Sequence, residues 1–425
     1  MNRAEKSKII ISCLSGSVLE WFDFAIYGYL APIIATQFFP AENIFTSLLL
    51  TYTVFAIGFI VRPAGAIFFG AMGDKIGRKT ALIFSTMLMA IPTLCIGILP
   101  NYSTIGIAAP ILLVLCRVVQ GFSLGGEYAG AFIYLVEKGL PGKKAFFSCW
   151  ADVGCAAGMI LGSLFAALLY AVFNTQQLYS YGWRIPFISG ILLSFIAWYM
   201  RRQLNESPEF QSAQKIQAAP FKVIFQQFPR IFIFSCLLLS IGSLGYYLVT
   251  VFIPNQMVVL GKLGATRIYL LNTLTLSAVI IGILASARLS DIIQPAKIYM
   301  IGAISCILFS YPIFYALIYW GLGAQLFLLC SMGISIGFCY GPRPLFLASL
   351  FPAGLRYSAI ALAISIANAV FGGMGPLVAT WMVKRTGMIE APAFLLMFSG
   401  LLSILSIVVL ASYLKKNSAS KNQWL

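Results

Sequence analysis

The chain has 425 residues, of which 60% are hydrophobic and 9% charged, and its mean hydropathy is +0.92. A soluble domain carries about 25% charged residues, so this composition excludes a water-exposed globule and points to lipid as the solvent. The formal net charge of +16 does not signal nucleic acid, because the Lys and Arg lie in short clusters between apolar runs, where membrane proteins keep them.

A helix needs about 20 apolar residues to cross the hydrocarbon core. Twelve stretches are read as spans: helix 1 over 9–36, helix 2 over 45–69, helix 3 over 81–99, helix 4 over 105–136, helix 5 over 145–173 and helix 6 over 184–200. Helices 7 to 12 follow over 231–256, 267–287, 297–319, 324–350, 355–383 and 393–414. Arg3, Lys6 and Lys8 ahead of the first run imitate a signal peptide. The run is too long for one, carries Glu20 and Asp23, and lacks a small-residue cleavage site, so it is expected to remain as helix 1.

The longest polar piece is 201–230, with Arg201, Arg202, Pro208, Lys215, Lys222 and Arg230. It reads as a cytoplasmic linker between an N-terminal six-helix bundle, 1–200, and a C-terminal one, 231–425. With the N-terminus inside, twenty of the 28 Lys and Arg fall on cytoplasmic segments and five on the outer side, leaving Arg62, Arg117 and Arg343 within helices. That bias places both termini in the cytoplasm. Weak internal repetition agrees. Gly73-Asp74-Lys75 after helix 2 matches Ser290-Asp291-Ile292 after helix 8, and Leu140-Pro141 matches Phe351-Pro352. The expected fold is all-α, two pseudo-symmetric six-helix bundles with a site between them at the bilayer midplane.

The nine cysteines are scattered through apolar runs without a CxxC pair and read as packing residues, not a metal site. There is no histidine, so an intramembrane proton carrier is expected to be a carboxylate. No G-x-x-x-x-G-K-[ST] loop and no HExxH is present, so neither an ATP motor nor a zinc hydrolase is expected, and no nucleophile elbow is expected either. No cofactor is called for.

An ionisable residue at a helix centre costs about 2.5–3.5 kcal/mol and tends to face a partner or a wet cavity. Here they are Glu20, Asp23, Arg62, Arg117, Glu127, Asp152 and Arg343. Helices 3, 6, 9 and 12 carry none and are expected to face lipid. Glu20, Asp23 and Tyr27 share one face of helix 1 at i, i+3 and i+7. Two carboxylates this close repel, which favours holding a proton. Glu20, Asp23, Glu127 and Asp152 are therefore candidate proton-coupling groups; pairing with an arginine of helix 2 or 4 is the structural alternative. Arg117 with Gln120 offers a fork of donors for a substrate carboxylate. Tyr246, Tyr247 and Asn255 on helix 7 offer hydrogen bonds or an aromatic cage for a quaternary ammonium. Arg343, between Pro342 and Pro344, is a candidate for anion binding, gating or snorkelling to the cytoplasmic face. Gly154, Gly158 and Gly162 on helix 5, and Gly372, Gly373 and Gly375 on helix 11, are expected to pack the two halves together.

The loop Gly70-Ala71-Met72-Gly73-Asp74-Lys75-Ile76-Gly77-Arg78-Lys79 resembles the signature loop of the major facilitator superfamily. Its metabolite:proton symporter branch is matched by Leu19-Glu20-Trp21-Phe22-Asp23-Phe24, Arg62-Pro63, the run from Gln120 to Tyr128, Gly182-Trp183-Arg184-Ile185-Pro186-Phe187, and Phe351-Pro352 with Arg356-Tyr357. The similarity covers nearly the whole chain and is greatest to bacterial proline/betaine transporters, notably from Tyr102 to Glu137. It implies that helices 1, 4, 7 and 10 line a cavity, that a proton moves with the substrate, and that Asp74, Arg78, Arg62 and Glu137 serve gating. Three departures stand out. Pro295 stands where Arg78 does in the first repeat. No long coiled-coil tail follows helix 12, so osmotic sensing is not expected. Arg343 occupies a region that is commonly neutral in the branch, which favours an anionic substrate.

The expectation is a secondary transporter, not an enzyme, of the bacterial inner membrane. It would carry a small polar solute with a proton, as a monomer. Proline or betaine leads by resemblance, with a di- or tricarboxylate next. A proton-independent exchanger and a transport-dead sensor are the alternative classes.

Overall fold

The computed structural model describes residues 3–76, 78–125, 135–136, 142–202, 220–261 and 263–417. Among the described residues, eight helices are long and apolar enough to span a membrane, a bent pair adds a ninth span, and three shorter apolar helices stand at the positions of helices 3, 4 and 6. Helix 1 is Arg3–Tyr29 followed by Ala31–Phe38. Helix 2 is Ile44–Phe69, helix 3 Arg78–Ile98, helix 4 Ala108–Leu124, helix 5 Lys144–Val172 and helix 6 Ile185–Arg202. Helices 7 to 12 are Pro229–Leu260, Ala265–Ser290, Pro295–Tyr319, Leu322–Leu350, Ser358–Thr386 and Ala391–Asn417. Of the expected linker, 203–219 lies outside the described residues, and Pro220–Gln227 forms a short helix leading into helix 7.

The uncharged spans each expose apolar side chains, but so do others, through Leu115 of helix 4, Leu168 of helix 5, Ile281 of helix 8 and Phe327 of helix 10. Met87 and Ile91 on helix 3, Leu192 and Phe195 on helix 6, Ile301 and Leu308 on helix 9, and Phe398 and Leu401 on helix 12 are all exposed apolar side chains. Helix 7 is the opposite case, almost wholly enclosed by protein. Among the described residues, the two halves meet chiefly where helix 5 packs against helix 8, helix 2 against helix 11, and helix 1 against helix 7.

Between lipid-facing helices there is no hydrophobic drive to associate, so close backbone approach supplies the packing. Helices 2 and 4 touch through glycines. A Cβ on Gly121 would stand 1.9 Å from the Gly58 carbonyl oxygen, and one on Gly65 would stand 1.8 Å from that of Phe122. Helices 8 and 10, their counterparts in the internal repeat, meet the same way through Gly282 and Gly337. The helix 5 glycines depart from expectation. Gly154, Gly158 and Gly162 face Leu14, Val18 and Ala25 of helix 1, so they pack helices within the first half and not across the seam. These glycines make room on helix 5 for the large residues that helix 1 turns toward it, with Trp21 Cβ 3.0 Å from a Cβ placed on Gly158 and the Tyr29 ring 3.4 Å from one on Gly162. On helix 11, Gly373 does meet the other half, at Phe59, whereas Gly372 and Gly375 meet Tyr247 and Leu244 of helix 7.

Prolines set the bends. Helix 1 turns by 62° between Gly16–Tyr29 and Ala31–Phe38, because Pro32 has no N–H for the Gly28 carbonyl and its ring crowds the preceding turn. Helix 7 passes through a π-helical segment, Leu248–Phe252, just before Pro254, and helix 11 through another, Asn368–Gly373, just before Pro376. Such widened turns are frequent at functional sites.

The glycine seam gives a direct test. Gly121→Ala is expected to lower stability by about 1–3 kcal/mol, as overpacking does. Gly323→Ala, at a helix position where a Cβ meets nothing within 4 Å, should leave it unchanged or raise it slightly. Thermal melting of the detergent-solubilised protein reads both.

Candidate functional site

Helix 1 brings its ring-bearing and acidic face to the middle of the molecule, and helices 2, 3, 4 and 7 close around it. Asp23 accepts a hydrogen bond from Thr93 of helix 3, Oγ1 to Oδ2 at 2.9 Å. Thr93 in turn accepts from Gln120 Nε2 of helix 4 at 2.7 Å. Gln120 Oε1 accepts from Arg117 Nη1 at 2.9 Å. The result is an unbroken donor-to-acceptor chain from a buried guanidinium to a buried carboxyl. The other carboxyl oxygen of Asp23 faces Gly190 of helix 6, where a Cβ would stand 3.1 Å from it.

Arg117 is wholly buried, with its guanidinium carbon 4.2 Å from the ring centre of Tyr27 and 4.4 Å from that of Phe24. Arg62 of helix 2 lies 4.3 Å from the ring of Phe59 and 4.6 Å from that of Phe24. One aromatic ring thus serves two cations, and the ring faces supply part of the compensation that water would give. Arg117 keeps Nε and Nη2, and Arg62 keeps Nε, without a hydrogen-bond partner among the described residues.

Around these cations an aromatic box spans the seam. Trp21 of helix 1 stacks on Tyr247 of helix 7 at 6.1 Å and meets Tyr246 edge-on. Phe55 and Phe59 of helix 2 meet Tyr247 edge-on at 5.9 and 5.1 Å. Tyr246 continues to Tyr340 of helix 10 at 5.4 Å. The hydroxyls of Tyr246 and Tyr247 are buried without a partner among the described residues. Gly372 permits this arrangement, since a Cβ there would fall 2.8 Å from the Tyr247 ring.

Beyond the box, both ends are latched. At one end Asn255 Nδ2 donates to the Gly28 carbonyl at 2.7 Å and lies 2.9 Å from Tyr52 Oη. The Tyr269 hydroxyl of helix 8 donates to the Tyr29 carbonyl at 2.5 Å. Gly28 O is the acceptor that Pro32 leaves without a helical donor, so the break in helix 1 is satisfied by the opposite half. At the other end, Arg343 of helix 10 pairs with Asp152 of helix 5, its guanidinium 4.1 Å from the Tyr340 ring. Asp291 accepts from the backbone N–H of Ala145 at 2.8 Å and Phe146 at 3.1 Å, at the start of helix 5. Burial raises the Asp291 carboxyl above its ordinary range, opposed by those two N–H donors and by Lys143.

Most of the expected residues can be placed. Glu20, Asp23, Tyr27, Arg62, Arg117, Gln120, Tyr246 and Tyr247 are all buried in the central box or against it. Tyr27 also donates to the Thr51 carbonyl at 3.2 Å. Asn255 stands apart from the box as part of the latch on helix 1. Arg343 does not snorkel. It is buried, because Asp152 gives it an internal counter-charge that the membrane surface would otherwise provide. Asp74 lies near the end of helix 2's continuation Arg62–Ile76, and Arg78 opens helix 3. Glu127 and Glu137 lie outside the described residues.

Helix 3 was expected to face lipid because it carries no charge, and the structure adds a second, polar face. Only one face meets lipid. Ser85 and Thr93 turn the other face toward helices 1 and 4, the Ser85 carbonyl accepting from Ser123. Their spacing of eight residues, two helical turns, was a legible signal that a reading centred on charge in helix 3 overlooked. Tyr52, Tyr269 and Tyr340 were missed for the same reason. Gly121-Phe122-Ser123-Leu124-Gly125 does match the G-x-S-x-G spacing. It runs through the end of helix 4, with no strand before it and no histidine in the chain, so the context of a nucleophile elbow is missing.

The model of the Major Facilitator Superfamily matches residues 13–376. The chain belongs to this superfamily. It is 37% identical over 413 residues to a putative proline/betaine transporter of Staphylococcus aureus strain COL, across 95% of this chain and 88% of that protein. It is 32% identical over 416 residues to the proline/betaine transporter of Salmonella typhimurium strain LT2 (94% and 82% covered), and 31% identical over 419 residues to that of Escherichia coli K12 (95% and 83%). Among solved structures, the proton:xylose symporter XylE bound to 6-bromo-6-deoxy-D-glucose superposes with a TM-score of 0.79 at 16% identity, covering 97% of this chain and 96% of that one. At that identity the likeness is one of fold alone. The chain is thus a multi-pass membrane transporter of the superfamily, with the twelve-helix fold.

The Asp152–Arg343 pair allows a double-mutant test. Arg343→Met alone leaves a buried carboxylate without its cation and is expected to cost about 3–5 kcal/mol. The double variant Asp152→Leu/Arg343→Met should recover most of that loss. Melting temperatures of the two variants in detergent check it.

Proposed function

We propose that this transporter carries a small zwitterionic solute of the proline or betaine kind into the cell together with a proton. The observation that carries the reading is the joining of a buried carboxyl, Asp23, to a buried guanidinium, Arg117, through Gln120 and Thr93, beside an aromatic box. A zwitterion has two ends. Its carboxylate suits the open Nε and Nη2 donors of Arg117, and its ammonium suits the faces of Trp21, Tyr246 and Tyr247. The relatives named as proline/betaine transporters support this substrate class.

In this reading both termini are cytoplasmic, and bundles 1–200 and 231–425, joined by 201–230, rock about the central site. The Asn255 and Tyr269 contacts with helix 1 form the outer gate. Asp152–Arg343 and Asp291 with the start of helix 5 form the inner one, while Asp74, Arg78 and Arg62 stabilise gate positions. Glu20 is a second proton candidate on helix 1. With both gates closed, the site is sealed from both sides, as alternating access requires at its midpoint.

A second reading rests on one observation, that Arg62 and Arg117 share the Phe24 ring. Two cations this close favour a di- or tricarboxylate. Uptake into proteoliposomes under an inward-directed proton gradient decides between them. Concentrative uptake of radiolabelled proline or glycine betaine, with citrate excluded, is expected. Accumulation of citrate alone would reverse the assignment. Asp23→Asn should abolish gradient-driven accumulation and keep counterflow exchange, whereas full accumulation in this variant would remove Asp23 from proton coupling. Arg117→Gln should raise KM at least about tenfold, roughly 1.4 kcal/mol.

A further inference from the structure

The Thr93 hydroxyl has a single proton and two acceptors in reach. Asp23 Oδ2 lies 2.9 Å away and the Met89 carbonyl, one turn back on helix 3, lies 3.0 Å away. At the same time its oxygen accepts from Gln120, which holds Arg117. All four side chains are buried, so water is not at hand to exchange with these bonds.

We propose that Thr93 is a positioning residue, a two-state rotor that passes the protonation of Asp23 through Gln120 to Arg117 and thereby sets the affinity of Arg117 for a carboxylate-bearing substrate. The inference rests on the proton-coupled reading and adds the direction of coupling. With Asp23 ionised, every bond in the chain points from Arg117 toward the anion. Aligned bonds polarise one another, and the cation at the far end is compensated. When Asp23 takes a proton, its new O–H donates to Thr93 Oγ1, and the Thr93 hydroxyl turns about its C–O bond to the Met89 carbonyl. One O–H bond forms at Asp23 and no other covalent bond changes. Every polar group stays hydrogen-bonded, yet the anion has gone. Arg117 is left as a buried cation with open donors, and in this low-dielectric setting an arriving carboxylate gains accordingly. Linkage makes the effect reciprocal, so a bound carboxylate favours the proton on Asp23 by the same factor. Proton and substrate then load together, the sign that symport needs.

Among the described residues, few other groups face this chain. Asp23 faces Arg117 from helix 4 and Thr93 from helix 3, and helix 6 presents Gly190. Arg117 faces Arg62 of helix 2 and Tyr27 of helix 1, with Cys116 beside it on helix 4. Glu20, another carboxylate, stands one turn away on helix 1.

Equilibrium binding to the purified full-length protein tests this, with glycine betaine and proline as probes between pH 8 and pH 5.5. Glycine betaine is the cleaner of the two, because its ammonium has no proton to lose. Wild-type affinity is expected to tighten at least about fivefold as the pH falls, the lower end of ordinary coupling between sites. Thr93→Val keeps the shape and removes the hydroxyl, and should flatten the pH profile to less than about twofold. Thr93→Ser should restore it. Asp23→Asn should bind tightly at every pH. Should Thr93→Val fail to fold, Gln120→Leu cuts the same chain at its next link and should flatten the profile likewise. A wild-type pH profile in a folded Thr93→Val or Gln120→Leu variant overturns the rotor. A wild type that binds neither probe, or binds with no pH dependence, overturns the proton-coupled reading itself.

Discussion

Charge in the middle of a bilayer has to be compensated by the protein, and in this chain the compensation is built from side chains of different helices. Arg117 and Arg62 rest on aromatic rings, Asp23 is reached through Thr93, and Asp152 meets Arg343. Each arrangement ties together helices that lipid alone would leave indifferent to one another. The charges therefore decide the packing of the core as much as they serve any later chemistry. Aromatic residues outnumber charged partners at the centre because a ring face offers a cation some attraction without supplying a counter-ion that would neutralise it permanently. A site so made keeps its cations receptive to an incoming anion.

Backbone carbonyls obey the same constraint. Pro32 breaks helix 1 and leaves Gly28 and Tyr29 with acceptors that lipid cannot satisfy. Asn255 and Tyr269, from helices 7 and 8, fill them. The contacts between halves at that end are thus hydrogen bonds to a helix fault, bonds of a kind that water could replace. At the opposite end Asp291 does the same for the free N–H groups at the start of helix 5. Apolar interlocking would be hard to separate in a moving protein. Polar contacts at helix breaks close firmly and still have an aqueous alternative.

Much of the molecule was legible in the chain. The twelve spans follow from hydropathy, because the length of a crossing helix is fixed by bilayer thickness. The family was legible in the signature loop around Asp74 and Arg78. Glu20, Asp23, Arg62, Arg117 and Arg343 stood out because a charge in an apolar run is costly and so is seldom accidental. Thr93, Tyr52, Tyr269 and Tyr340 did not stand out in the same way, since a neutral polar residue is cheaper to bury than a charge and its signal is weaker. Gly154, Gly158 and Gly162 showed that a close contact exists, but not with which helix.

Composition, span length and the position of charges determined a helical membrane protein with its candidate residues on helices 1, 2, 4, 5, 7 and 10, and the signature loop pointed to a transporter. These properties are local, each readable within one helix. Only the tertiary structure decided that Asp23 turns to Thr93, that Arg343 is neutralised by Asp152 and does not reach the membrane surface, and that Asn255 caps a broken helix 1. Such choices depend on the rotation of each helix about its axis and on which neighbour it meets. In lipid those are fixed by the sum of many small packing and hydrogen-bond terms between segments far apart in sequence.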